Sequence, residues 1–306
     1  GADIDVTGFA DKRYYMVLCS DIPTGRTQWQ SWLGDGDFTT GQSSAYSTRE
    51  NYNGASSDST IINYSEGVRW NASVTTAYTN PKFGVGYIAN LSSKEKLTMF
   101  HGVAQQTAGA GYIPDRGENV GKWTYTSGSV DSFRLHDIET GSFNTGSEVV
   151  VLGWDPDDTH TTNFWEELAS VELSSAGDLL DTGTFTAKKY LWVQIYTKNS
   201  GTINHALQYN GDTGNNYAFR RNLDGGSEGT DINQSSDPTI SMSSLGGFPL
   251  FANIFIINNA SNDKLTIAHA IMQNTAGADN APKRREGVAK WENNSQITQI
   301  TSTNSD

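Results

Sequence analysis

The sequence contains one block twice, and this internal repeat constrains the fold more than any other feature. Lys264–Trp291 repeats Lys96–Trp123 without a gap, at a spacing of 265 − 97 = 168 residues. The matched pairs include His101 with His269, Arg116 with Arg284, and Trp123 with Trp291. Two consecutive copies of one unit predict two like domains, because each repeat corresponds to one structural unit.

A second matched block lies upstream at a different spacing. Phe9–Tyr14 corresponds to Phe185–Tyr190 at 185 − 9 = 176, so the first copy holds 176 − 168 = 8 extra residues between the two blocks. We expect them in Asn53–Pro81, where the copies are least alike and where a surface excursion would carry partner-specific contacts. The predicted organisation is a first domain over residues 1–155, a linker over 156–163 and a second domain over 164–306.

Composition favours strands over helices. Charged residues make up 18% of the chain and aromatic residues 11%, and 31 glycines accompany many serines, threonines and asparagines. Short strands joined by polar turns are typical of this composition. The predicted fold class is all-β: two tandem antiparallel β-sandwich domains, jelly-roll-like and related by internal duplication.

Charge and cysteine content exclude several classes of partner and site. The net charge of −13 would repel a phosphate backbone, so we predict no nucleic-acid partner. No apolar run reaches the roughly 20 residues that a membrane-spanning helix needs, so we predict no membrane insertion. The single cysteine, Cys19, excludes an intrachain disulfide and a multi-cysteine zinc site, and its strand-like surroundings indicate a small buried apolar residue.

A histidine lies on an apolar strand face in both copies. The strand period of two places Leu265, Ile267, His269 and Ile271 on one side of Lys264–Met272. The first copy repeats the pattern with Leu97, Met99, His101 and Val103. We expect His101 and His269 to be buried, hydrogen-bonded structural residues, and a catalytic base is the alternative.

The loop after this strand is shared as well. Arg116 with Glu118, and Arg284 with Glu286, lie two residues apart in an extended chain and should point to the same side. We interpret these pairs, and the closing Trp123 and Trp291, as structural. A duplicated binding site is the alternative.

Two clusters resemble metal sites. Asp212, Asn215 and Asn216 are candidate calcium ligands, although capping of a tight turn is the favoured interpretation. A second candidate set, in the linker, is explained equally well as an exposed acidic stretch: Asp155, Asp157, Asp158 and His160. No cofactor is predicted.

Aromatic and acidic residues suggest two rival functions. Seven aromatic side chains of the first copy are candidate ligand or partner contacts: Trp29, Trp32, Tyr46, Tyr52, Tyr64, Trp70 and Tyr78. The first four of them could stack on sugar rings in a carbohydrate-binding module. Aromatic residues of a β-sandwich more often form its core. A glycan-degrading enzyme needs two facing carboxylates. The four candidates are the kind that solvated loops supply, so no enzyme is predicted: Asp35, Asp37, Glu166 and Glu167.

The ends of the two copies differ. The first copy has no counterpart of Phe164–Leu173, interpreted as a strand or short helix, and the second has none of Ser147–Trp154. We expect each unit to lack one terminal strand and other copies of the chain to cover the open edges, head to tail or as a trimer. Loops folding over the edges, or a fragment of a longer array, are the alternatives.

Four stretches together carry a family resemblance: NTGSEVVVLGWDP, FTAKKYLWVQIY, QYNGDTGNNYAFRRNLDGG and NTAGADNAPKRREGVAKW. With them the chain resembles tandem-repeat proteins predicted in marine bacteriophage genomes. The resemblance implies a structural protein on the virion surface, such as a head decoration, fibre or tail-associated subunit. Its implied partners are other copies of itself and other virion proteins, with a host surface glycan as the alternative. The first copy departs from the resemblance over Trp29–Tyr78, which puts any shared ligand in doubt.

Overall fold

The computed structural model describes residues 1–25, 27–70, 79–159, 164–198, 204–242, 247–274 and 276–304. Within these ranges the chain is all-β, with antiparallel sheets and no helix. No helix in the described ranges is therefore long and apolar enough to cross a bilayer. The all-β class predicted from composition is confirmed.

The chain forms two compact units, of which unit 1 comprises Gly1–Gln106 and Asp115–Phe164. Its strands form a four-stranded sheet in the order β1-β10-β3-β6 and a seven-stranded sheet in the order β11-β2-β7-β8-β9-β4-β5. The strands are β1 Asp3–Thr7, β2 Tyr14–Asp21, β3 Trp29–Gly34, β4 Tyr46–Tyr52, β5 Ser59–Tyr64, β6 Val68–Arg69, β7 Lys82–Ala89, β8 Lys96–Ala104, β9 Asp115–Trp123, β10 Ser132–Asp137 and β11 Glu148–Trp154.

Unit 2 comprises Trp165–Asp306 together with Thr107–Pro114, the segment that connects β8 to β9. Its strands form a three-stranded sheet in the order β12-β20-β14 and a six-stranded sheet in the order β13-β17-β18-β19-β15-β16. The strands are β12 Leu179–Asp181, β13 Tyr190–Lys198, β14 His205–Tyr209, β15 Tyr217–Leu223, β16 Gly229–Gln234, β17 Pro249–Ile257, β18 Lys264–Met272, β19 Lys283–Trp291 and β20 Ile300–Asn304.

Strands with matching sequences occupy matching places in the sheets. The repeated block forms β8 and β9 in unit 1 and β18 and β19 in unit 2. The order β2-β7-β8-β9-β4-β5 in unit 1 corresponds to β13-β17-β18-β19-β15-β16 in unit 2. β7 and β17 each have a neighbouring strand on both sides within the sheet.

The hydrophobic core of each unit is built by residues of its larger and smaller sheets. In unit 1, Tyr15, Phe100 and Trp123 of the larger sheet cluster with Leu33 and Phe133 of the smaller one. In unit 2, the matching cluster includes Tyr217, Ala268 and Trp291 together with Leu207 and Ile300. We call the core-facing side of each larger sheet its inner face and the opposite side its outer face.

The structure corrects the expected position of the extra residues. The β3–β4 loop of unit 1 runs from Asp35 to Ala45, whereas the matching loop of unit 2 runs only from Asn210 to Asn216. Much of the insertion therefore lies ahead of Asn53–Pro81, at a turn where length varies without disturbing the strands. Within Asn53–Pro81, Trp70 belongs to the core, so that segment is not wholly a surface excursion.

The expected opening strand is also corrected. Residues 164–173 form neither a strand nor a helix, and Val171 and Leu173 are exposed, so their alternation is not that of a buried strand. Unit 1 does not lack an opening strand, because β1 pairs with β10 as β12 pairs with β20. In unit 2, β13 is an edge strand, whereas the matching strand β2 of unit 1 pairs with β11.

A buried asparagine ties distant loops together in each unit. In unit 1, Asn90 donates to Asp11 Oδ1 (2.9 Å) and Lys12 O (3.0 Å), and its Oδ1 accepts from Val130 N (2.8 Å). In unit 2, Asn258 donates to Lys188 O (3.0 Å) and Ile297 O (3.0 Å) and accepts from Ile297 N (2.6 Å). One amide side chain thus pairs backbone groups that burial would otherwise leave unsatisfied.

Replacing this asparagine should destabilise the fold. Asn90→Ala removes a donor and an acceptor at once, and each buried polar group left unpaired costs about 1–3 kcal/mol. We expect the free energy of unfolding of unit 1, measured by urea denaturation, to fall by roughly 3 kcal/mol. Ser59→Ala on the exposed edge strand is the control. A loss no larger than that of the control would contradict the role assigned to Asn90.

Candidate functional site

An apolar groove crosses the outer face of the seven-stranded sheet in unit 1. Cross-strand partners lie on the same face of a sheet, so two adjacent rows of the ladder define this surface. One row runs from Trp154 through Tyr14, Ala89 and Leu97 to Lys122. The next row contains Met16, Tyr87, Met99, Val120 and Arg49. The groove has a volume of about 760 Å³.

The floor of the groove is apolar and open to solvent. Leu97 is 57% exposed, Met99 52% and Val120 48%. Ile62 of the edge strand β5 is 72% exposed and also lines the groove. A contiguous apolar surface that is open to water marks a contact site, because water is released when such a surface is covered.

Charged pairs stand at the rim of the groove. Lys122 Nζ lies 3.0 Å from Glu95 Oε2, and Arg49 lies 3.5 Å from Asp58 Oδ2. All four side chains are well exposed, so these ion pairs contribute little to stability. An apolar floor with a polar rim is the usual anatomy of a protein–protein interface.

The far end of the groove is aromatic. The rings of Tyr14 and Trp154 lie 5.7 Å apart, on paired residues of β2 and β11. Burial raises the pKa of the nearby Tyr87 to about 12, so its hydroxyl stays neutral. The groove therefore offers aromatic and aliphatic surface, with charge confined to its rim.

The two histidines lie on the outer faces and are half-buried, not fully buried as expected. His101 pairs in the ladder with Glu118, and His269 pairs with Glu286. Burial lowers the pKa of His101 to about 4, and the Arg116 guanidinium acts in the same direction. His101 is therefore neutral at physiological pH.

The arginine and glutamate of each pair point to the same side, as their spacing predicted, and they form ion pairs. Arg116 lies 2.9 Å from Glu118, and Arg284 lies 3.3 Å from Glu286. The two differ in environment, since the Arg116 side chain is 6% exposed and that of Arg284 is 61% exposed.

The tryptophans that close the repeated block are core residues. Trp123 stacks with Tyr46 (ring centroids 6.2 Å apart) and Trp291 with Tyr217 (6.3 Å). Trp123 donates to Gly41 O (2.8 Å), and Trp291 donates to Asp212 Oδ2 (2.7 Å).

Cys19 is buried as expected, and burial raises the pKa of its thiol.

The structure separates the seven candidate contact aromatics. Trp29, Tyr46 and Trp70 are buried in the core of unit 1 and so present no face to a ligand. Trp32 is half-buried, with Arg134 5.9 Å and His136 5.8 Å from its ring. Tyr52 and Tyr64 are also half-buried, and Tyr78 lies outside the described residues.

The candidate metal ligands have structural partners. Burial works against ionisation of Asp212, but hydrogen bonds from Asn216, Trp291 and Gly214 N outweigh it, so its pKa is lowered. Asp158 and Asp155 lie 2.5 and 3.4 Å from Lys12 Nζ. Asn215 and Asp157 are exposed, and His160 lies outside the described residues.

The candidate catalytic carboxylates lie in turns or on the surface. Asp37 accepts hydrogen bonds from Thr40 N and Thr39 N (both 2.8 Å), which lower its pKa. Asp35 accepts from the Tyr125 hydroxyl (3.0 Å). Glu166 forms an exposed ion pair with Lys188, and Glu167 is exposed.

The sequence pattern places Leu97 and Met99 on one face of a strand but does not reveal the groove. Alternation shows that residues share a face, and does not show whether anything covers it. The missed signal was the matching alternation of Val120 and Lys122 on the neighbouring strand, which places a charge beside an apolar row.

Comparisons with known proteins do not place the chain in a family. No family model matches it, and no curated protein matches it. A structure from a study of in-meso crystallization of membrane proteins is 8% identical over 93% of this chain and 88% of that chain, with a TM-score of 0.16. An acyl-CoA hydrolase of Agrobacterium tumefaciens is 6% identical over 72% and 76%, with a TM-score of 0.13. OccK7 (OpdD) of Pseudomonas aeruginosa is 7% identical over 95% and 98%, with a TM-score of 0.09. Such low TM-scores carry no argument about fold or function.

The groove should bind an apolar fluorescent dye. At a dilute chain concentration we expect a naphthalene sulfonate dye to increase in fluorescence, and Met99→Glu to reduce this signal by at least half because it places a charge on the apolar floor. Leu91→Glu is the control, since Leu91 is 46% exposed and lies outside the groove. Equal fluorescence of both variants would show that the dye binds elsewhere.

Proposed function

We propose that the chain is a non-enzymatic structural protein of a bacteriophage particle, exposed on the particle surface and acting through protein–protein contacts. The observation that carries the proposal is the apolar groove with its charged rim on unit 1. Leu97, Met99 and Val120 expose about half of their surface side by side. Such a surface is suited to a protein partner that covers the floor and pairs with the rim.

The proposal includes an origin of the two units by duplication of one jelly-roll-like β-sandwich. Supporting features are the matched strand order, the matched asparagines and the matched tyrosine–tryptophan stacks. In unit 1 the chain passes repeatedly between the two sheets, as in a jelly roll: β1, β3, β6 and β10 belong to one sheet, and the strands between them to the other.

Net charge is consistent with a protein that associates only through specific contacts. A charge of −13 keeps copies apart in solution unless a complementary surface offsets the repulsion. The apolar groove, with Arg49 and Lys122 at its rim, supplies such a surface.

The carbohydrate-binding alternative has less support. Of its four candidate aromatics, Trp29 and Tyr46 are buried. The guanidinium of Arg134 lies 5.9 Å from the centre of the Trp32 ring. A cation over the ring occupies the surface on which a sugar would stack.

Immuno-electron microscopy tests the proposed location. Antibodies against the chain should label intact particles of the phage that encodes it, at regularly repeated positions on a head, fibre or tail. Antibodies against a cytoplasmic enzyme of the host are the control and should leave particles unlabelled. Label found only in cell lysate, and never on purified particles, would contradict the proposal.

A further inference from the structure

Unit 2 binds a loop of the first sequence copy through its backbone. The loop is Thr107–Pro114, which connects β8 to β9 within the repeated block. Its backbone groups take part in five hydrogen bonds: Gly109 N to Asp263 Oδ2 (2.9 Å), Ala110 N to Glu292 Oε2 (2.7 Å), Asn233 N to Ala110 O (3.0 Å), Lys290 Nζ to Thr107 O (2.5 Å) and Arg220 Nε to Pro114 O (3.1 Å).

Ala110 is the centre of this contact. It is 0% exposed and is bonded through both its N–H and its carbonyl, whereas Ala108, two residues earlier, is exposed. A larger side chain at the centre would not fit, while one at the position of Ala108 would extend into water.

The chain carries a second version of this loop. Residues 276–282 match 108–114 in sequence and are exposed throughout. The two loops have the same left-handed turns, since φ is 65° at both Gln106 and Asn274 and 88° at both Gly109 and Gly277. The second loop therefore has the backbone shape of a bound loop but is itself uncovered.

We call the residues of unit 2 that hold the loop the acceptor, and unit 1 has a matching set of residues. Glu95 stands where unit 2 has Asp263, Lys122 where it has Lys290, Arg49 where it has Arg220, and Asn63 where it has Asn233. Asn63 and Asn233 share a φ of 53°. Arg49 and Lys122 are the cations at the rim of the apolar groove.

The apolar floors of the two acceptors differ in exposure. Leu97, Met99 and Val120 are 57%, 52% and 48% exposed. The matching Leu265, Ile267 and Val288 are 1%, 2% and 1% exposed, and Leu265 is the ladder partner of Lys290, which holds the bound loop. In unit 2 the apolar floor is buried, and the acceptor beside it already holds the loop 107–114. In unit 1 the matching floor is exposed, and within the described part of the chain no such loop lies on the matching acceptor.

We infer that residues 276–282 of one molecule dock on the outer face of unit 1 of a second copy, beside Lys122 and Arg49 and next to the groove. The inference deepens the proposed function and rests on it, because it names the partner as another copy of this chain. Loop and acceptor lie in different units, so the contact is heterologous and continues from molecule to molecule into a ring or filament.

The contact between copies is weaker than the one within the chain. Thr124 replaces Glu292, which removes the carboxylate that accepts the Ala110 N–H. Asn280 replaces Tyr112, whose ring lies 6.0 Å from Lys290 Nζ. Loss of a charged acceptor and an aromatic contact makes the assembly reversible and dependent on concentration.

Two variants with matched controls test the docking by sedimentation velocity over a range of concentrations. Ala278→Arg enlarges the position that matches Ala110, and Arg49→Glu reverses the charge of an acceptor cation. Each should weaken assembly at least about tenfold relative to the unsubstituted chain. Ala276→Arg, at the position matching the exposed Ala108, and Leu91→Glu should assemble as the unsubstituted chain does. All four positions are exposed, so folding should be retained, and circular dichroism checks this.

Mixing the two variants gives a signature that only a head-to-tail contact produces. Ala278→Arg lacks a functional loop and keeps the acceptor, while Arg49→Glu lacks a functional acceptor and keeps the loop. Together they should form a one-to-one complex that does not grow at higher concentration, although each alone assembles at least about tenfold more weakly than the unsubstituted chain.

The outcomes separate the inference from the proposed function. Assembly of the unsubstituted chain with no effect of Ala278→Arg would overturn the loop docking and leave an assembly role standing. A mixture of the two variants that stays monomeric would overturn the head-to-tail geometry. An unsubstituted chain that remains monomeric at the highest attainable concentration would overturn the inference, whereas labelling of intact particles judges the proposed function independently.

Discussion

Each unit depends on a tyrosine and a tryptophan that fix which face of the larger sheet points inward. Tyr46 accepts from Leu33 N and donates to Leu33 O (both 3.1 Å), so its hydroxyl joins the two sheets of unit 1. In unit 2, the Tyr217 hydroxyl accepts from Tyr209 N (3.0 Å). Once Trp123 points inward beside Tyr46, the pleat turns its neighbour Lys122 outward. The inward orientation of Trp123 therefore determines which residues of the strand lie on the outer face.

The outer face of unit 1 carries more apolar surface than its own fold covers. Met99 and Val120 face each other across β8 and β9, and both are about half exposed. Hydrophobic burial contributes about 25 cal/mol per Å², so covering this row favours association even against a net charge of −13. An assembly role accounts for this surface, whereas an isolated monomer leaves it unexplained.

The sequence predicted an all-β chain and the residues that share a face of a strand, because composition and alternation are local signals. It misplaced the insertion, since the length of the β3–β4 loop is set by turn geometry that residues 35–45 do not reveal. It also indicated a strand at Val171 and Leu173, although both side chains are exposed and no strand forms there. The exposure of Leu97 and the burial of Leu265 could not be predicted, because the two residues are identical and differ only in what lies over them.

Hydrogen exchange at increasing concentration measures the central claim most directly, because it reads the loop amides themselves. The N–H group of Gly277 matches that of Gly109, which is hydrogen-bonded to Asp263 in unit 2. We predict that its exchange slows at least about tenfold as the chain assembles, since a bonded amide exchanges only when the contact opens. Exchange at Gly214, in a turn outside the contact, should not change. A Gly277 amide that exchanges equally fast in the monomer and in the assembled chain would contradict the account.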